Sequence, residues 1–341
     1  MRHGVRLALL LLLTIACDAA NSANETGFAR GVTARRVAPV LAETLWVRGG
    51  RKDDPLLPYP EYLAHDSNLV FVSDRASHQV IAIEQRTGAT RWTTASMRNA
   101  VRSPGSMAGL PGGGVAVLDG AGTLVRMDGR GRVLTSASLV DGNIARQVCA
   151  FDDSTFLIAY LRQRLPLAIV DAAGQVRQRL ELPWEALRDL SPMQTQVALA
   201  GASASRCIVS LVFGQGLAAI GKDGTEWTAP YVEPVPIPGV NEKTTTRGAE
   251  HNTTAHIDAR HVAVRDLSVD DDHIDVIFEG TDPKPGSLID EYQATTGVYR
   301  GTRWASRRVL GIQRRGERMF FLAGLQGYPA LVAMRVGTLP K

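Results

Sequence analysis

The residues of this chain that could do chemistry are few and widely spaced. His251, His256 and His261 recur at five-residue steps around Asp258, and imidazoles beside a carboxylate can gather a divalent ion. Five-residue steps match no helical face, and His261 opens a predicted strand, so no metal site follows from them. The run "DDDHID", residues 270–275, concentrates four carboxylates but lacks the spaced donors and turn glycine of a calcium loop. It reads as a strand-to-strand turn. Asp74 and Asp119 each end a predicted strand and should hold the turn that follows by side-chain to backbone bonds. There is no G-x-S-x-G elbow, no H-E-x-x-H pair and no S-x-x-K with a lysine-box partner, so no catalytic set is recognisable and no cofactor is called for. Arginine is the exception to this scarcity. Arg75, Arg98, Arg102, Arg146, Arg162 and Arg164 fall in connections between predicted strands, where converging guanidinium groups would suit a carboxylate or phosphate. The same residues could equally form a solvated rim.

Composition bounds the partners. Of 341 residues, 45% are hydrophobic and 21% charged, with a formal net charge of +4. That is ordinary globular material, without the dense basic face or reading motif of a nucleic-acid binder. A monomer is expected. The first residues are more specific: Arg2 and Arg6 precede an apolar run from Leu7 to Leu13, then Thr14, Ile15, Ala16 and Cys17. The run is too short to span a bilayer, and its end resembles a bacterial lipobox, with Thr14 in place of the usual Leu. The resemblance implies a signal peptide over residues 1–16, diacylated Cys17 as the mature N-terminus, and a protein held at the bacterial envelope, facing periplasm or exterior. Residues 17–42 have no apolar period and read as a tether, with a coil span on the order of 28 Å. The two remaining cysteines, Cys149 and Cys207, would then lie where disulfides form. They fall in strands of neighbouring repeats and could pair, or remain separate buried thiols.

What must position these residues is a repeat. An apolar strand followed by a Gly turn recurs at Gly88, Gly131, Gly174, Gly224, Gly297 and Gly337, with spacings of 43, 43, 50, 73 and 40. Short β-branched strands between such turns, at a period in the forties, are the mark of propeller blades. The expected fold is all-β: a six-bladed β-propeller of four-stranded antiparallel blades over residues 43–341. The last blade lacks a fourth strand, which "ETLWVRGG", residues 43–50, should supply to close the ring. Two segments break the period: "LPWEALRDLSPM", residues 182–193, reads as a short helix, and a blade-connecting insertion at about 228–258 reads as extended proline-rich chain followed by a polar loop.

The stretch "LWVRGGRKDDPLLPYPEYLAHDSNLVFVSDRASHQVIAIEQRTG" resembles the start of the NHL/TolB-like six-bladed propellers of secreted bacterial proteins. The resemblance implies shape more than activity. An anchor, a tether and a rigid ring without a recognisable catalytic set point to a binding or scaffold module, for an anionic ligand or an envelope protein partner. Its relatives also include metal-dependent lactonases and streptogramin lyases, so a metal-assisted hydrolase or lyase in the central channel is the alternative. Within the same stretch and just beyond it, "IAIEQRTGATRWTT" resembles the tryptophan-docking repeat of quinoprotein propellers. A Trp four residues after the turn Gly occurs only at Trp92, so Trp92 is expected to pack locally and no quinone is implied.

Overall fold

A computed structural model describes residues 35–341 except 40–41, 54–57, 75, 95–100, 121, 140–143, 162–164, 188–189, 192–193, 203–205, 215, 234, 248–249, 258–261, 281–285, 338 and 340–341. The Cys17 lipidation signal therefore lies outside the described residues. The β-branched runs form six four-stranded antiparallel sheets, at residues 60–93, 104–138, 144–180, 197–230, 264–304, and 309–336 completed by 42–49. These are blades 1 to 6. The middle strands of the blades are buried, and Leu69–Asp74, Val115–Asp119 and Gly216–Gly221 are so at every position. Each blade is covered on both sides by its neighbours, so its middle strands lose the alternation of a half-exposed sheet. Outer strands such as Val133–Ser138 and Val176–Leu180 keep exposed positions.

The first strands, Pro60–His65, Pro104–Gly109, Ile144–Ala150, Val197–Ala202, Val264–Val269 and Val309–Arg315, are neighbours in turn around the ring and enclose the central channel. Ala42–Gly49 pairs antiparallel with the third strand of blade 6, from Ala42 opposite Val336 to Gly49 opposite Ala330, and closes the ring. Val37–Pro39 adds a fifth, parallel strand to blade 5, so residues 35–39 belong to the ring and not to a tether.

The turn glycines do more than turn. Gly88, Gly131 and Gly297 have φ of 72°, 79° and 69°, which favours glycine, and a Cβ at each would meet an indole ring at 2.8, 2.8 and 2.6 Å. The rings are Trp46, Trp92 and Trp227, each from the fourth strand of the preceding blade. Trp46 Nε1 donates to Gln85 O and Trp92 Nε1 to Gly129 O, both at 3.0 Å. Trp92 is thus an inter-blade joint, which corrects the expectation of local packing. Each of the three sits beyond a register shift and opposite an alanine of its third strand: Ala333, Ala82 and Ala219. A fixed offset from the turn Gly misses this. Trp46 lies on the closing strand, far in sequence from its blade, and Trp227 stands one residue nearer its turn.

The insertion is also more ordered than expected. Thr228–Pro230 completes the fourth strand of blade 4, Tyr231, Val232 and Val235 are buried between blades 4 and 5, and Val240–Arg247 pairs antiparallel with Glu250–Ile257. Among the described residues of 182–193 there is a 3-10 turn, Glu185–Leu187.

Candidate site at the channel mouth

Five of the six first strands carry the same defect. Their register against the second strand skips at Glu61, at Gly105 and Ser106, at Arg146, at Arg265 and at Leu310; only blade 4 is unbroken from Val197 to Ala202. All skips fall near the end where the first strands begin, here called the upper mouth. A bulge leaves one residue out of the ladder and re-aims its side chain, and bulges gather at rims and sites for that reason. Arg146, Arg265 and Leu310 are exposed although they belong to the innermost strands.

A cavity of about 300 Å³ opens there, with Tyr62 from blade 1, Arg146 and Gln147 from blade 3, and Thr195 and Gln196 leading into blade 4 among its walls. The Gln147 side-chain oxygen accepts from the Ser106 hydroxyl at 3.0 Å, and Ser106 Oγ accepts the Val148 N–H at 3.1 Å, which fixes the amide across the blade 2–3 boundary. Tyr160 also contributes to the wall. Its hydroxyl is buried without a hydrogen-bond partner among the described residues, and burial raises its pKa, so it stays protonated. The two bulged arginines differ. Arg265 pairs with Glu279, which also receives Arg308 at 3.2 Å. Arg146 has no ion-pair partner among the described residues. A lone guanidinium in a cavity with neutral polar walls can take a carboxylate or phosphate through two parallel hydrogen bonds.

Of the six rim arginines expected from sequence, Arg75, Arg98, Arg162 and Arg164 lie outside the described residues. Arg146 lines the cavity. Arg102 is exposed on the blade 1–2 connection, where its backbone N–H donates to Asp119 at 2.6 Å. Asp119 thus staples the chain leading into its own blade, and Asp74 holds its turn, accepting the Ser77 N–H at 2.9 Å. Tyr62, Gln147, Thr195 and Gln196 were not singled out from sequence, because nothing marks a neutral polar residue at a strand start until the ring brings three blades together.

The other candidates resolve differently. His251 and His256 lie on one strand of the insertion hairpin, opposite Thr246 and Asn241. Five residues of extended strand separate their Cα atoms by about 17 Å, beyond the reach of one shared ion. His261 is outside the described residues, and no group of three metal-ligating side chains occurs among those described. In "DDDHID", Asp270 Oδ1 accepts the N–H of Asp272 at 3.0 Å and of His273 at 2.8 Å, forming the expected turn, while Asp275 is fully buried against Arg314. Cys149 and Cys207 face each other across the blade 3–4 core with Cα atoms 6.0 Å apart and are joined as a disulfide, which removes the alternative of separate thiols.

No family model matches the chain, and none of the curated proteins does. Solved structures do. The β-propeller domain of Cps50 (Swd1) from Myceliophteria thermophila aligns with a TM-score of 0.52 and 7% identity over 87% of this chain and 100% of that one. A catalytically inactive virginiamycin B lyase from Staphylococcus aureus, with quinupristin, aligns with a TM-score of 0.51 and 12% identity over 82% of this chain and 81% of that one. At such identities the likeness is one of fold. The chain is a six-bladed β-propeller.

Proposed function

We propose that this propeller is a lipid-anchored binding module of the bacterial envelope, whose channel mouth takes an anionic group of a small molecule or a protein partner. Arg146 is the observation that carries the reading. It is set out of its strand by a bulge, stands in a cavity, and has no counter-charge among the described residues. Gln147, Thr195, Gln196 and Tyr62 supply neutral donors and acceptors around it. The lipobox-like run ending at Cys17 and the NHL/TolB-like start support the envelope address. A thermal-shift panel of phosphate, acetate, succinate and chloride against the purified protein tests the binding: saturable stabilisation by the oxyanions over chloride is expected, and indifference to all four contradicts it. Membrane fractionation of a Cys17→Ala variant tests the anchor, where release into the soluble fraction is expected and unchanged membrane association contradicts it.

A further inference from the structure

A second charged assembly stands apart from the channel mouth, on the blade 4 side of blade 5. Arg35 Nε and Nη2 donate to the two oxygens of Asp290 at 3.1 and 2.9 Å, and Nη1 reaches Glu233. The guanidinium carbon lies 4.3 Å from the centre of the Phe278 ring. Only 1% of the Arg35 side chain is exposed, and none of Asp290. Asp290 Oδ1 also accepts the Thr302 hydroxyl at 2.6 Å, and the Thr302 oxygen is 2.7 Å from Tyr299 Oη, which in turn accepts the Arg36 N–H at 3.2 Å.

Blade 5 and the connection leading into it supply everything here except the cation. Two carboxylates and an aromatic face, arranged around a planar fork, are the features that distinguish recognition of a guanidinium from recognition of an ammonium. The segment that brings the cation is otherwise lightly held. It pairs over three residues, Val37–Pro39, and ends on a proline that has no N–H to give; Thr302 N donates to Arg36 O at 2.9 Å, and Val37 is exposed. Arg36 adds a bond from Nη2 to Arg300 O at 2.8 Å at the exposed edge, so Arg35 is the buried part of the attachment.

We infer that this slot is a guanidinium-binding site which residues 35–39 fill as an internal ligand, and which takes an arginine-bearing extended peptide along the outer strand of blade 5 once that segment leaves. A covalently linked occupant acts at an effective concentration on the order of millimolar, so the intact chain keeps the slot closed to competitors.

The test uses the full chain carrying Arg35→Ala and the peptide acetyl-Arg-Arg-Val-Ala-Pro-amide, which repeats residues 35–39. Calorimetry should show 1:1 saturable binding to the variant, at least about tenfold tighter than for a peptide with Lys in the first position. Wild type should not bind at the same concentrations, and adding Asp290→Asn to the variant should weaken binding at least about tenfold. If Arg35→Ala is poorly folded, its melting temperature should rise with methylguanidinium and not with methylammonium. A variant that responds to neither the peptide nor methylguanidinium overturns the inference, as do equal binding of the Arg and Lys peptides and equal binding by wild type.

Discussion

The two ends of the channel are built from the same six strands and treat their charges in opposite ways. At the lower end, Asp66 Oδ1 accepts the N–H of Asn68 and Leu69, both at 2.7 Å, and its Oδ2 accepts Gly114 N–H of blade 2 at 2.8 Å. Arg315 of blade 6 donates to Asp66 O at 2.7 Å, and Asp270 of blade 5 accepts Gly316 N–H at 3.2 Å. Just inside, Arg314 meets Asp275 at 3.2 Å and Glu291 at 2.9 Å, and Glu291 also receives Arg303 at 3.1 Å. Charge there stitches blades 5, 6, 1 and 2 together. At the upper mouth the bulges turn residues out of the ladder, and Arg146 has no counter-charge among the described residues. The difference separates charge that holds the ring from charge that is free to meet a ligand.

Substitutions should divide along the same line. Arg314→Met leaves Asp275 and Glu291 buried without their shared cation, and chemical denaturation should show a loss of about 4 kcal/mol with anion binding at the mouth unchanged. Reducing Cys149–Cys207, which spans 58 residues of sequence, should cost about 3 kcal/mol, read as a lower melting temperature in reductant. Trp92→Ala removes a half-buried joint between blades 1 and 2 and should cost about 2 kcal/mol by denaturation.

Asp266 sharpens the comparison through pH. Its carboxylate accepts Ile312 N–H of blade 6 at 2.9 Å; burial, the largest influence, raises its pKa to about 7 against that bond, a second from Leu267 N–H and the charge of Arg265. Between the carboxylate's ordinary pKa and 7 the folded chain keeps a proton that the unfolded chain releases, so this group's contribution to stability falls as pH rises through that window. Melting curves of Asp266→Asn should lose that part of the slope. A slope identical to wild type would show that Asp266 does not titrate as assigned.

Much of the ring was legible because it rests on local signals. Turn glycines after each third strand, apolar middle strands and a missing last strand all follow from one blade at a time. The joints between blades were not legible in the same way. Trp46 meets Gly88 from the closing strand, and Cys149 meets Cys207 only if their strands face the same interface at the same depth. Arg35 sits in a stretch whose composition resembles a linker, yet one buried side chain orders it. The cavity draws on residues from 62 to 212, and its decisive arginine is set by a bulge that no residue type announces. Arg146 was nevertheless among the rim arginines, because every blade connection returns to the same face.

The central claim is that Arg146 receives an anion at the upper mouth. Titration of wild type and Arg146→Gln with phosphate and succinate, followed by calorimetry, tests it most directly. Stabilities should agree to within about 0.5 kcal/mol, because the side chain makes no ion pair among the described residues, while binding should be at least about tenfold weaker in the variant. Equal affinity in the two proteins would contradict it.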